Sequence, residues 1–138
     1  MMISTKGRYA LRVMLDLAGH RESGYIPLAE IAARQKISEK YLESILSVLS
    51  KAGMLDALRG KGGGYRLAKA PEDYSVYDIL CLTEGTLAPV ACLEAGQNCE
   101  NAGACSTYPL WKGLDETVRK YLSGFTLVDV LNMKKGSE

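Results

Sequence analysis

Three of the four cysteines lie close together, and their spacing suits a metal or redox centre. Cys92, Cys99 and Cys105 form a C-x6-C-x5-C pattern, which is wider than the paired C-x2-C knuckles of common zinc modules. Thiolates are soft ligands that favour iron–sulfur chemistry. An iron–sulfur cluster, a zinc ion with one further ligand and a metal-free thiol switch are therefore all open. Cys81 lies outside this segment in a predicted helix, where we expect a small packing residue.

A glycine-rich segment carries a second kind of chemistry. Residues 59–64 read Arg-Gly-Lys-Gly-Gly-Gly between two short strand-like runs, which predicts a β-hairpin. Arg59 and Lys61 stand among residues without side-chain bulk, so that the backbone, with Gly62 at the tip, can approach a phosphate or enter a narrow minor groove. A nucleotide phosphate loop is the rival interpretation, but the required pattern ending in Lys-Ser/Thr is absent.

Three predicted helices precede this hairpin. Apolar residues at three- and four-residue spacing predict a first helix over residues 4–19. Pro27 suits the first turn of a short second helix, and Ser38 is a good N-cap for a third. A helix-turn-helix followed directly by a hairpin predicts a winged DNA-binding unit.

The third helix is the predicted recognition helix. Its outward residues expected to meet base edges or phosphates are Ser38, Lys40, Tyr41, Glu43 and Ser44. Glu43 can accept a hydrogen bond from a cytosine amino group, and an ordinary solvated helix position is the alternative for it.

The second half of the chain is predicted to hold a helix over residues 75–84, an irregular cysteine segment over 86–107 and a long helix over 109–123. A last short helix starts at Thr126. The long helix has a broad apolar stripe, which predicts packing against its copy in a second chain; folding back onto the winged unit is the alternative. The expected fold is mainly α with a small β-hairpin wing. It divides into a winged helix-turn-helix domain (1–70), a linking helix with the cysteine loop (71–107) and a dimerisation helix with a short C-terminal helix (108–138).

Charge separates the two halves of the sequence. The chain has 138 residues and a net charge of +1, but residues 1–70 hold 12 Lys/Arg and 6 Asp/Glu, whereas residues 71–138 hold 5 and 10. A basic front half suits a polyanion. No apolar run reaches the roughly 18 residues of a membrane span, and the N-terminus lacks a signal-peptide core, so we expect a cytoplasmic protein. No general-base histidine accompanies the cysteines and no cofactor fingerprint is present, which argues against an enzyme.

Three motifs together resemble the Rrf2 family of bacterial transcription regulators. They are ISTKGRYA at 3–10, SEKYLE at 38–43 and RGKGGGY at 59–65, and the resemblance extends from Ile3 to about Leu131. It implies a homodimeric winged helix-turn-helix protein that binds a partly palindromic double-stranded operator with its recognition helices roughly 34 Å apart. It also adds Ser4, Thr5 and Lys6 to the expected DNA contacts.

The IscR-like members of this family hold an iron–sulfur cluster on a similar three-cysteine loop. The resemblance therefore implies Cys92, Cys99 and Cys105 as cluster ligands, with 2Fe–2S favoured over 4Fe–4S. Tyr108 occupies the position of the histidine that is the fourth ligand in those members. The fourth ligand is open among Tyr108, Cys81, a carboxylate of Glu94 or Glu100 and a small exogenous molecule. His20, the only histidine, falls at the end of the first helix, where interaction with the helix dipole is expected.

These observations predict a DNA-binding regulator whose operator affinity is gated by the cluster and so reports iron, redox or nitrosative status. The alternative is a thiol- or zinc-dependent redox-sensing repressor of the same fold without an iron–sulfur cluster. The sequence leaves open which form binds DNA.

Overall fold

Six α-helices and one two-stranded antiparallel hairpin make up the part of the chain that the computed structural model describes, residues 3–89 and 106–133. In chain order the elements are α1 (Thr5–Gly19), α2 (Leu28–Gln35), α3 (Glu39–Lys51), β1 (Leu55–Leu58), β2 (Gly64–Leu67), α4 (Val76–Glu84), α5 (Tyr108–Ser123) and α6 (Leu127–Leu131). The predicted fold class, mainly α with a small hairpin wing, is confirmed. The long helix begins one residue earlier than predicted, at Tyr108.

The apolar stripes of α1 and α3 form the centre of the core. Met14 of α1 and Leu42, Ile45 and Leu46 of α3 are fully buried, because residues three and four apart share one face of a helix. Each of the two helices starts with a serine whose hydroxyl accepts a backbone N–H of the first turn. Leu127 of α6 is buried in the same core, so the C-terminal helix packs against α1.

The turn between α2 and α3 is short and tightly closed. Lys36 ends α2 in the left-handed conformation, with φ 57°, which glycine usually adopts because it has no Cβ. The N–H of Ile37 donates to the carbonyl of Ala32 at 3.2 Å. Ser38 then caps α3, so only three residues separate the end of α2 from the start of α3.

Two sets of hydrogen bonds outside the strand pair hold the hairpin in place. Leu55 pairs with Leu67 and Leu58 with Gly64, while Tyr65 exchanges backbone hydrogen bonds of 2.8 and 2.9 Å with Ile26 of the preceding loop. The hydroxyl of Tyr74 also donates to the carbonyl of Met54 at 2.6 Å and accepts from two backbone N–H groups after β2. Burial raises the pKa of this phenol, so it stays protonated as a donor.

The predicted apolar stripe of α5 is largely uncovered in this single chain. Leu110 is 63% exposed, Tyr121 61% and Leu114 39%, while α5 rests on α4 along its other side. No helix within residues 3–89 and 106–133 is both long enough and apolar enough to cross a membrane.

A buried carboxylate joins α1 to the end of α2. The side chain of Asp16 is 2% exposed and accepts two hydrogen bonds from the guanidinium of Arg34, at 2.7 and 2.9 Å, and a third from Gln35 at 2.9 Å. Burial pushes the pKa of Asp16 upward, but the hydrogen bonds from Arg34 and Gln35 and the charge of Arg34 outweigh it, so the pKa lies below its ordinary value. The hydrogen bonds that Arg34 donates to Asp16 and to Glu30 raise the pKa of Arg34.

Removing the guanidinium is expected to destabilise the fold because the carboxylate stays buried without its main partner. We expect Arg34→Ala to lower the free energy of unfolding by about 3 kcal/mol, measured by urea denaturation at pH 7. The matched control is Arg119→Ala, which removes an exposed guanidinium at 3.4 Å from Asp115 in α5 and is expected to cost about 0.5 kcal/mol or less. Equal losses in the two variants would contradict a special role for Asp16.

The lowered pKa of Asp16 also gives stability a defined pH dependence. A carboxyl whose pKa is lower in the folded state than in the unfolded state stabilises the fold above its unfolded pKa of about 3.9, and this contribution is lost as the pH falls through the folded value. The difference in unfolding free energy between the wild type and Asp16→Asn is therefore expected to be largest at neutral pH and to shrink on acidification below pH of about 4. A difference in unfolding free energy that grows in acid would show that folding raises the pKa of Asp16.

Candidate nucleic-acid interface and cysteine segment

The outer face of α3 presents the predicted recognition residues. Ser38, Lys40, Glu43 and Ser44 are exposed and Tyr41 is half-buried. The hydroxyl of Ser38 accepts from the N–H of Tyr41 at 3.1 Å, and that of Ser44 donates to the Tyr41 carbonyl at 2.7 Å. The two hydroxyls thus support the first turn of the helix, while the charged groups of Lys40 and Glu43 point into solvent.

The N-terminal contacts predicted for DNA lie at the first turn of α1, where Ser4 has structural partners. Its N–H and hydroxyl both donate to one carboxylate oxygen of Glu84, at 2.9 and 2.8 Å, and the hydroxyl accepts from Gly7. Thr5 is exposed and accepts a hydrogen bond from Arg8 in the next turn. Lys6 is half-buried.

The tip of the wing presents backbone and cations together. Arg59, Gly60, Lys61 and Gly62 are all exposed. The tip closes with a hydrogen bond from the N–H of Gly63 to the carbonyl of Gly60 at 3.0 Å. At Gly64, φ is 147° and a Cβ would overlap the carbonyl of Ile26, so that only glycine fits where the wing meets the loop before α2.

A groove of about 490 Å³ separates the recognition helix from the wing. Its walls bring together Glu43 and Ser47 of α3 with Arg59 and Tyr65 of the hairpin. Two sequence-predicted residues from separate elements, Glu43 and Arg59, therefore line one site. A carboxylate that can accept from a base and a guanidinium that can bind a phosphate or a narrow minor groove stand on opposite walls of this groove.

The predicted metal ligands Cys92, Cys99 and Cys105 lie outside the described residues. Tyr108, at the histidine position of the family, is the first residue of α5 and is half-buried. The described chain enters the cysteine segment after α4 and leaves it into α5, and these two helices pack against each other. Within residues 3–89 and 106–133 no group of three or more His, Cys, Asp or Glu side chains is placed to hold a metal ion.

Cys81, a candidate fourth ligand, and His20, the only histidine, both have local partners. Cys81 of α4 is half-buried against the apolar cluster of Val76, Leu80 and Leu87. The neighbouring Cys81 thiol, together with burial, raises the pKa of the Tyr77 phenol. The ring Nδ1 of His20 lies 2.8 Å from the carbonyl of Asp16, at the C-terminal end of α1. This position agrees with the expected interaction at the helix terminus.

Two features that position the site were missed from the sequence. Asp16 interrupts the apolar stripe of α1, and a charged residue on a buried stripe is a signal that a partner must exist. The second feature is the contact of Glu84 with Ser4. The sequence hints at it only through Gly7, because a glycine inside a helix indicates that another group approaches closely. A Cβ on Gly7 would collide with the carboxylate of Glu84.

Comparison with known proteins gives a consistent result over nearly the whole chain. Residues 3–133 match the Rrf2 family, described as iron-dependent transcriptional regulators. The HTH-type transcriptional regulator IscR of Aliivibrio salmonicida is 37% identical over 131 residues, which is 95% of this chain and 77% of that protein.

Solved structures give the same fold. CymR, the global cysteine regulator of B. subtilis, superposes with a TM-score of 0.80 at 36% identity and covers 98% of this chain and 99% of its own. The IscR of T. potens superposes with a TM-score of 0.78 at 34% identity and covers 100% of this chain and 91% of its own.

Proposed function

The chain belongs to the Rrf2 family of transcription regulators, and from that premise we propose that it binds operator DNA under the control of an iron–sulfur cluster held by Cys92, Cys99 and Cys105. Its relatives are regulators of transcription, so the chain is a DNA-binding regulator and not an enzyme. The groove between α3 and the wing, which Glu43 and Arg59 both line, is the observation that carries the DNA-binding part of the proposal.

In this proposal α3 lies in a major groove and the wing enters the adjoining minor groove. The exposed side chains of Lys40 and Glu43 meet phosphate and base edge, and Arg59 and Lys61 bind the backbone and the narrow groove. Ser38, Tyr41, Ser44, Gly62 and the first turn of α1 (Ser4, Thr5 and Lys6) complete the contact surface.

We further propose that the protein is a homodimer joined through α5. Leu110, Leu114 and Tyr121 form an uncovered apolar stripe along this helix, and a two-fold contact between two such stripes would remove it from water. The two recognition helices would then meet half-sites roughly 34 Å apart on one face of the duplex.

The cysteine segment fits an iron–sulfur cluster by the chemistry of its donors. Three thiols within one segment supply soft anionic ligands, and the matched family is described as iron-dependent. When bound, such a cluster supplies a redox-active group that oxidants, nitric oxide or iron shortage can remove. A 2Fe–2S cluster is the favoured type, with the fourth ligand still to be assigned.

The chain's own contacts connect the cysteine segment to the DNA-binding elements. Glu84 is the last residue of α4, just before the chain runs toward the cysteines, and its carboxylate binds the N-cap Ser4 of α1. A change in how the segment holds the end of α4 would therefore reach the first turn of α1, where DNA contacts are expected.

Thiol sensing without a cluster is the second candidate function, and zinc binding by the same cysteines remains part of it. The likeness to CymR, a global cysteine regulator, at a TM-score of 0.80 favours this candidate. The two candidates share the DNA-binding mechanism and differ in what the cysteines hold.

The wing can be tested through the salt dependence of binding. Lys61→Ala is expected to weaken binding to duplexes of every sequence and to lower the slope of log K against log salt by about one unit, because one phosphate contact is lost. Fluorescence anisotropy over several salt concentrations measures this slope.

The control for the wing experiment is Lys112→Ala, which removes an exposed cation of α5 that lies outside the proposed DNA-binding surface. Its slope should equal that of the wild type. An unchanged slope in both Lys61→Ala and Arg59→Ala would remove the wing from the interface.

The cysteines can be tested by anaerobic purification with iron, sulfide and zinc analysis. We expect a coloured wild-type protein and colourless, iron-free Cys92→Ala, Cys99→Ala and Cys105→Ala variants that keep the far-ultraviolet circular dichroism of the wild type. Cys81→Ala is the comparison variant and should keep its colour, because Cys81 packs in the apolar cluster of α4. Loss of colour in this variant would identify Cys81 as the fourth ligand.

Other results of the cysteine experiment decide against the cluster. A colourless wild type that contains zinc would establish the zinc form. A metal-free wild type whose DNA affinity changes with peroxide would establish the thiol switch.

A further inference from the structure

Arg12 of α1 holds the end of α2 at the point where the helix-turn-helix bends. Its Nε donates to the side-chain oxygen of Gln35 at 3.0 Å, and its Nη2 donates to the backbone carbonyl of the same residue at 3.3 Å. Gln35 is the last residue of α2, and Lys36 after it turns left-handed. The carbonyls at a helix C-terminus lack partners within the helix and attract cations, so the guanidinium is well matched to this position.

The guanidinium of Arg12 is also connected to α3 through two tyrosine rings. The guanidinium carbon of Arg12 lies 4.7 Å from the centre of the Tyr9 ring, and Tyr9 meets the ring of Tyr41 edge-on at 6.0 Å between centroids. Tyr41 lies in the first turn of α3. Neighbouring residues of α1 therefore contact the chain on both sides of the turn, at the end of α2 and at the start of α3.

The contact of Arg12 with Gln35 is also linked to the buried carboxylate of α1. Gln35 uses its side-chain oxygen for Arg12 and its side-chain nitrogen for Asp16. Its amide orientation is thereby fixed from both ends, and a guanidinium, with two parallel N–H groups, can bind the side-chain and backbone oxygens at once. A lysine at position 12 would keep the charge and lose this paired geometry.

We infer that Arg12 is a positioning residue for sequence recognition: by fixing the end of α2 and, through Tyr9, the first turn of α3, it sets the angle at which the recognition helix presents its side chains to the bases. The inference rests on the proposed function, since it requires α3 to read DNA. It differs from a phosphate contact, which would add the same affinity to every sequence.

The experiment compares Arg12→Lys with Arg8→Lys, because both keep the charge. Arg8 lies one turn earlier on α1, and within the described part of the chain its guanidinium hydrogen-bonds only to Thr5 of the same helix. The probe is a duplex that the wild type selects from a randomised 30-base-pair library, with a scrambled duplex of the same composition as the non-specific reference. Both affinities are measured at several salt concentrations, and melting temperatures are measured alongside.

We expect Arg12→Lys to lower the ratio of specific to non-specific affinity by about tenfold, the equivalent of losing one charge-assisted hydrogen bond. The salt slope should stay the same, and Arg8→Lys should leave the ratio unchanged. The loss should become smaller in a Gln35→Met background, where the acceptor side chain is already absent.

Three results would overturn the inference. A ratio unchanged in Arg12→Lys would show that the helix is positioned without the guanidinium. Equal losses on both duplexes would make Arg12 a phosphate contact, and equal losses of ratio in Arg8→Lys would show no special geometry at position 12. Absence of duplex binding by the wild type itself would instead remove the proposed function on which the inference depends.

Discussion

A single buried carboxylate determines how the helix-turn-helix sits on the rest of the protein. Asp16 lies on the apolar face of α1, and its charge is tolerated there only because Arg34 and Gln35 at the end of α2 supply three hydrogen bonds. Moving α2 away would leave the charge without partners in a nonpolar environment. The pair therefore fixes orientation more than it adds net stability, since two apolar residues could fill the same space at a similar free energy.

The first helix is the common neighbour of the elements that act in recognition and in control. Its middle binds the end of α2, Tyr9 contacts α3, and its N-cap Ser4 binds Glu84 at the end of α4. Its buried stripe also packs on α4 and α6. In the proposed function, a displacement of the end of α4 would act on α1 through Glu84 and Ser4, and so on the two helices that α1 contacts.

The features predicted from the sequence are those that depend on neighbours a few residues away. Ser38 caps α3 through the N–H of Tyr41 three residues later, as predicted, and the glycine-rich run between two short strands predicts the hairpin turn from adjacent residues. The partners of Asp16 and Glu84 could not be predicted from nearby residues, because Arg34 and Ser4 lie 18 and 80 positions away from them in the chain. The left-handed conformation of Lys36 also has no local signal, since glycine would suit that conformation better. The ligation by Cys92, Cys99 and Cys105 stays a prediction because these residues lie outside the described chain.

The hairpin combines a stiff stem with a compliant end. Tyr65 forms backbone hydrogen bonds with Ile26, and the hydroxyl of Tyr74 donates to the carbonyl of Met54 before β1. At the tip, by contrast, a Cβ on Gly60 or Gly62 would have no atom within 4 Å. Minor-groove width varies with base composition, and an end of this kind can follow that variation through a few backbone torsions while the core keeps its packing. In the proposed complex, conformational freedom confined to these few tip residues would limit the entropy lost on binding.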